Sequence, residues 1–162
     1  MRTVVIGSGS WGTALAQVLQ DNHQEVLVYG VAEAEVNDIN ENHENSKYFG
    51  DVELNPELKA TTDIQCVKGA DIVLLAVPTI AIDPICHQIN DLLDKKTIII
   101  NVSKGFHPET NERMSEVIRR CIDEDKLSSV VSLIGPSHAE EVVIRLLTTI
   151  DAISLNNEDA IT

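Results

Sequence analysis

Three glycines near the start of the chain constrain its fold more than any other feature. Gly7, Gly9 and Gly12 have the spacing G-x-G-x-x-G, after the apolar run 3–6 and before the helical pattern 13–19. Strand, glycine turn and helix in this order are what a dinucleotide-binding loop requires. Gly7 permits the turn, Gly9 lets the backbone approach a pyrophosphate, and Gly12 lets the helix lie close to the strand. A turn that only packs the helix would need Gly12 but neither of the other two.

Composition narrows the class of protein. The chain has 162 residues, 43% of them hydrophobic, and a mean hydropathy near zero, which predicts one substantial core and excludes disorder or a membrane span. Met1 and Arg2 lead directly into a strand, so we expect no secretory signal and a cytoplasmic location. A net charge of -14 argues against a nucleic-acid partner. The cysteines lie far apart, outside any metal-ligand spacing, so we expect reduced thiols and no metal. They are Cys66, Cys86 and Cys121.

Apolar strand-like runs alternate with helical patterns along the whole chain. Strands are predicted over residues 3–6, 25–29, 58–61, 71–77, 97–102 and 130–134. Helices are predicted over residues 13–19, 32–42, 63–68, 83–93 and 110–123, and from 137 onwards. Continuous apolar strands separated by helices indicate a sheet covered on both faces. The sequence therefore predicts an α/β fold of Rossmann type, with a doubly wound, mostly parallel sheet and helices on both faces.

Local signals suggest where two helices begin and which helical face is solvated. Asp83-Pro84 has the N-cap and first-position pattern of a helix start. Thr110 can cap the next helix. The acidic side chains of the 32–42 helix are expected to form a solvated face. They are Glu33, Glu35, Asp38 and Glu41.

Ligands of such sheets bind beyond the carboxyl ends of the strands, which directs attention to two further segments. Lys104 follows an apolar strand and precedes Gly105, so its ammonium could bind a phosphate or polarise a carbonyl oxygen. An ordinary surface lysine is the alternative. Ser137 and Glu140 have the spacing of a capping box, which would explain both without a ligand, although a capped helix start is also an anion pocket. His138 fits either a general acid or a packed surface ring.

These segments together resemble the N-terminal domain of bacterial NAD(P)-dependent glycerol-3-phosphate dehydrogenases. The matching stretches follow one another in the family's order over almost the whole chain. They are GSGSWGTALA from Gly7, NENHENSKYF from Asn40, LKATTD from Leu58, ADIVLLAVPT from Ala70, NVSKGF from Asn101 and GPSHAEEV from Gly135. The resemblance implies reversible hydride transfer between NAD(H) or NADP(H) and C2 of the substrate. That reaction interconverts dihydroxyacetone phosphate and sn-glycerol 3-phosphate, which supplies phospholipid synthesis.

The resemblance also implies residue roles. Ser10 and Trp11 match cofactor contacts within the glycine loop, and Ala139 matches another. Lys104 matches a lysine that touches both cofactor and substrate. Gly135 and Ser137 match the substrate-contacting pair. Pro78 matches a proline beside the nicotinamide, although it could serve only to end the strand.

The chain also departs from the family in two ways. The family's proton-transfer lysine and phosphate-binding residues belong to a helical second domain, so residues 1–162 are expected to form the dinucleotide-binding domain and to contain no catalytic residue. Gly30 and Val31 stand where an acidic residue would favour NAD and an arginine NADP, which leaves the cofactor preference open. A homodimer of the full-length form also stays open. The alternative functions are another dehydrogenase with a similar front half, such as a ketopantoate reductase, and a non-catalytic nucleotide-binding module.

Overall fold

The computed structural model describes residues 1–161, apart from the side chain of Asn157, and contains one seven-stranded sheet. Thr162, the last residue of the predicted domain, lies outside the described residues. The strands are β1 (Arg2–Ile6), β2 (Glu25–Tyr29), β3 (Lys59–Thr61), β4 (Ile72–Leu75), β5 (Thr97–Asn101), β6 (Leu127–Ile134) and β7 (Asp151–Ser154). Each predicted strand is present, and β6 begins three residues earlier than its apolar core suggests. Strand β7 has no counterpart among the predicted strands.

Helices connect most of these strands. They are α1 (Ser10–Asp21), α2 (Glu33–Asn37), α3 (Ser46–Phe49), α4 (Thr79–Asn90), α5 (Met114–Cys121), α6 (Ala139–Val143) and α7 (Asn157–Ile161). A π-helical turn over Asp38–Asn42 extends α2, and a 3-10 turn over Ile64–Val67 precedes β4. None of the described helices is long and apolar enough to cross a membrane.

The strand order is β3-β2-β1-β4-β5-β6-β7, in which only β7 runs antiparallel to its neighbour. The chain builds outwards from β1 to β3 and then returns to place β4 on the other side of β1. This reversal is the topological switch point, where open α/β sheets bind their ligands beyond the carboxyl ends of the strands. The glycine loop follows β1 and therefore lies at this point.

Alternate residues of the strands pack against helices on opposite faces of the sheet. Val4 and Ile6 join a buried cluster with residues of α4 and α5, whereas Val5 joins a second cluster with residues of α1 and α6. Both clusters are closed to solvent, as a strand buried on both faces requires. The predicted Rossmann-type class is confirmed.

The predicted starts of α4 and α5 are wrong. Helix α4 begins at Thr79 with Pro78 at its N-cap, and Pro84 lies inside the helix. The apolar spacing of Ile82, Cys86 and Ile89, all fully buried, outweighs the N-terminal preference of proline.

Helix α5 begins at Met114 rather than at Thr110. The Thr110 hydroxyl donates to the Glu112 carboxylate at 2.7 Å and caps no helix. The backbone N–H of Arg113 instead donates to the Glu116 carboxylate at 3.1 Å, and this pair marks the start of the helix.

Candidate functional site

The glycine loop joins β1 to α1 by a very close approach of backbone to backbone. Gly7 has φ +117°, a conformation that side chains disfavour, and a Cβ there would collide with the carbonyl oxygen of Ala76. A Cβ on Gly12 would collide with the carbonyl oxygen of Gly7. Gly7 and Gly12 are thus both required by the packing of the loop itself, so the expectation that a purely structural turn would not need Gly7 is wrong.

Gly9 differs from the other two glycines of the loop. Its φ of -69° suits any residue, and a Cβ there would meet no atom within 4 Å. The protein therefore leaves open the space above Gly9. That is what a loop needs if a ligand is to lie against its backbone, so the loop fits a pyrophosphate.

The start of α1 faces the same opening. Thr13 donates the first backbone hydrogen bond of the helix to the Gly9 carbonyl at 3.0 Å, and no side chain caps this end in the described chain. The N–H groups of Ser10, Trp11 and Gly12 precede that bond and point ahead of the helix. Together with the helix dipole they favour an anion at this position.

A buried asparagine supports the loop from below. Asn45 is fully buried, and its amide donates to the Ser8 carbonyl and to the Thr13 hydroxyl, each at 2.8 Å. Thr13 in turn donates to the same Ser8 carbonyl at 3.2 Å. No sequence pattern predicts this role of Asn45, because nothing local reveals a contact across 37 residues of sequence.

The lysine segment lies at the carboxyl end of β5. Ser103 donates its hydroxyl to the Val77 carbonyl at 2.5 Å, and its N–H donates to the Asn101 side chain at 3.2 Å. Lys104 follows in an exposed position, and Gly105 turns the chain with φ +101°. In the described part of the chain, no acid pairs with the Lys104 ammonium.

The segment after β6 differs from its prediction. His138, not Ser137, is the N-cap of α6, and no side chain caps this helix. The predicted capping box of Ser137 and Glu140 is therefore wrong. Ser137 is buried, whereas the exposed His138 ring lies 3.8 Å from the Glu141 carboxylate.

One cleft brings together most of the predicted ligand-binding side chains. It has a volume of about 290 Å³. Its lining residues are Ser10, Trp11, Val102, Lys104, Ser137, His138, Ala139 and Glu140. The start of α1, the end of β5 and the start of α6 thus share one opening, as the strand-end argument predicts.

Five predicted site residues do not line that cleft: the loop glycines Gly7, Gly9 and Gly12, and also Gly135 and Pro78. Gly135 lines a neighbouring cavity of about 560 Å³ that also contains Lys104, but a Cβ on Gly135 would lie 2.7 Å from the carbonyl oxygen of Thr149. Pro78 is exposed and serves as the N-cap of α4. Both glycine and proline therefore have structural roles at these positions, besides the roles that the resemblance implies.

Glu35 corrects the prediction of a solvated acidic face. It is buried, and its carboxylate accepts hydrogen bonds from the Ser8 hydroxyl at 2.5 Å and from the Lys47 ammonium at 2.6 Å. Burial raises the pKa of the Glu35 carboxyl, but the hydrogen bonds from Lys47 and Ser8 outweigh burial, so the pKa lies below its usual value. Of the other three acids, Asp38 is only partly exposed, and Glu33 and Glu41 are exposed.

A separate cluster lies between α4 and α5. Ligand atoms of Asp83, His87 and Cys121 lie within 4.8 Å of one another. The Arg120 guanidinium donates to the Asp83 carboxylate at 2.8 Å, and this ion pair already balances the charge of the acid. The absence of a metal site stays a prediction.

Comparison with known proteins places the chain in one family. A family model described as the N-terminus of NAD-dependent glycerol-3-phosphate dehydrogenase matches residues 2–160. The glycerol-3-phosphate dehydrogenase [NAD(P)+] of Listeria monocytogenes (strain CLIP80459) is 48% identical over 152 residues, which cover 93% of this chain and 45% of that protein. The enzyme of the same name from Bacillus pumilus is 44% identical over 98% of this chain and 46% of its own length.

A solved structure supports the same grouping. The glycerol-3-phosphate dehydrogenase of Coxiella burnetii superposes with a TM-score of 0.88 at 28% identity, over 98% of this chain and 48% of that one. The chain thus spans somewhat less than half the length of the relatives it matches. It belongs to the family of NAD-dependent glycerol-3-phosphate dehydrogenase N-terminal domains.

Proposed function

We propose that residues 1–162 form a dinucleotide-binding domain that holds NAD(H) or NADP(H) across the glycine loop. The observation that carries this proposal is the open space over Gly9 at the uncapped start of α1. The pyrophosphate would accept hydrogen bonds from the amides of Ser10, Trp11 and Gly12, and Ala139 would border the cofactor across the cleft. Pro78 would lie beside the nicotinamide.

The activity we propose is the interconversion of dihydroxyacetone phosphate and sn-glycerol 3-phosphate, which the names of the relatives support. A nicotinamide bound at the glycine loop would supply or accept the hydride at C2. Lys104 would place its positive charge where the substrate oxygen or phosphate is negative. Ser137 would donate a hydrogen bond from its hydroxyl to the substrate. Gly135 would contact the substrate from the neighbouring cavity that it lines with Lys104.

Proton transfer would fall to a lysine outside this chain, in the helical second domain that the resemblance implies. Substrate turnover would therefore require both domains. The product would serve phospholipid synthesis in the cytoplasm.

The isolated chain is expected to bind NADH without reducing dihydroxyacetone phosphate, since the glycine loop is complete within it and the proton-transfer lysine is not. Fluorescence titration with NADH measures binding, and NADH absorbance after addition of dihydroxyacetone phosphate measures turnover. Turnover by the isolated chain would show that its own residues supply the proton. Absence of NADH binding would contradict the proposal.

Gly9→Val is expected to abolish NADH binding while the chain stays folded. The valine would occupy the open space over the loop and meet no protein atom within 4 Å at its Cβ. Fluorescence titration and circular dichroism report the two effects separately. Gly12→Ala is the contrasting variant, because its Cβ would collide with the Gly7 carbonyl and lower the melting temperature. Unchanged affinity in folded Gly9→Val would place the cofactor elsewhere.

Lys104→Ala, in a full-length version of the protein, is expected to lower the turnover rate by about 10²–10³, as the loss of one preorganised charge does. The side chain is exposed and fills no core space, so we expect the free energy of unfolding to change by no more than about 0.5 kcal/mol. Steady-state kinetics and a thermal melt check the two values. Lys96→Ala, at the amino end of β5, is the matched control. Turnover within a few-fold of the parent would make Lys104 a surface lysine.

A further inference from the structure

The contact between Glu35 and Ser8 connects α2 to the glycine loop, and Ser8 also lies against the residue that follows β2. A Cβ on Gly30, the residue after β2, would lie 2.7 Å from the Ser8 Cβ. The Ser8 hydroxyl in turn donates to Glu35 at 2.5 Å. The Ser8 side chain therefore lies between Glu35 and Gly30 at the end of β2. Dinucleotide-binding domains recognise the adenosine ribose of the cofactor at that end.

The usual position for such recognition carries no polar side chain in this protein. Gly30 has no side chain, and Val31 is apolar and 85% exposed. Glu35 and Lys47 instead line a cavity together with Ala32, the residue that follows Val31.

Lys47 and Glu35 differ greatly in their freedom to move. The Lys47 side chain is 63% exposed, whereas that of Glu35 is 10% exposed and is held by Ser8 as well. The two residues line one cavity of about 390 Å³, in which Lys47 is the single basic residue among the described lining. The other acids of that lining are Asp38 and Glu41, and the Asp38 carboxylate already accepts hydrogen bonds from Ser46 and Asn42. Among the described residues that line this cavity, Lys47 is thus the one cation that can turn towards a ligand.

We propose that Lys47 recognises the substituent on the 2′ position of the adenosine ribose, and that its ion pair with Glu35 restrains this recognition. The inference rests on the proposed dinucleotide binding. A 2′-phosphate would draw the ammonium away from Glu35 into a charge-assisted hydrogen bond. A 2′-hydroxyl would leave the pair intact. The contact that Lys47 gains with a 2′-phosphate is offset by the loss of its ion pair with Glu35 and by repulsion between Glu35 and the phosphate. Both NAD(H) and NADP(H) therefore bind.

The physical consequence is opposite in two substitutions. Lys47→Gln removes the cation and leaves the Glu35 charge facing the 2′ position, so NADPH loses affinity. Glu35→Gln keeps an acceptor for the Ser8 hydroxyl but releases Lys47, so NADPH gains affinity. NADH carries no 2′ charge and responds little to either change.

Fluorescence titration of the purified chain with NADH and with NADPH tests the proposal. Lys47→Gln should weaken NADPH binding about tenfold and NADH binding less than twofold, as expected for one charge-assisted contact. Glu35→Gln should shift the ratio of the two dissociation constants several-fold in the opposite direction. Lys96→Gln, which removes the same charge at the amino end of β5, should leave the ratio unchanged. NADPH binding by the parent chain should also fall more steeply with added salt than in Lys47→Gln.

The outcomes separate this inference from the proposed function. A parent chain that binds neither cofactor overturns both. A parent chain that binds them, with Lys47→Gln altering the NADH and NADPH constants equally, overturns the role of Lys47 alone. Lys47 is exposed and its replacement leaves the core intact, so this variant decides the question even if Glu35→Gln fails to fold, which circular dichroism would reveal.

Discussion

The approach of the glycine loop to the end of β4 is the constraint on which the rest of the site depends. The Ala76 carbonyl oxygen occupies the space that a side chain on Gly7 would need. The Gly7 carbonyl oxygen likewise occupies the space that a side chain on Gly12 would need. The Ala76 N–H also donates to the Ile6 carbonyl at 2.9 Å, which joins β1 and β4 at this level. Because these backbones touch, α1 begins directly above the switch point of the sheet. Its free amides then face the opening rather than the core.

The chain has a net charge of -14, so binding of the proposed anionic cofactor requires positive groups placed at the site itself. The amides of α1 and the exposed ammonium of Lys104 meet this requirement without a basic surface. Lys47, paired with Glu35, is a further local positive group. The proposed anionic ligand would meet positive charge at a few defined points, while the net negative charge of the chain disfavours polyanions.

Sequence patterns predicted the doubly wound, mostly parallel sheet, the glycine loop and the position of Lys104 at a strand end. Each of these features depends on residues that are neighbours in the sequence. The patterns failed where a distant contact decides. Glu35 looks solvated in its helical pattern, yet Ser8 lies 27 residues earlier and removes it from solvent. Pro84 has the local signature of a helix start, yet its helix is held by buried residues on both sides of it. β7 has no alternating pattern because three of its four residues are exposed, so only its pairing with β6 reveals it.

Amide-resolved NMR during NADH titration tests most directly whether a dinucleotide lies across the glycine loop. We expect the largest chemical-shift changes at the amides of Gly9 to Gly12, with smaller ones at Lys104 and Ala139. Amides around the larger cavity of about 630 Å³ between α4 and α5, which includes His87 and Arg120, should stay unchanged. Largest changes at that cavity, with Gly9 to Gly12 unaffected, would contradict the account.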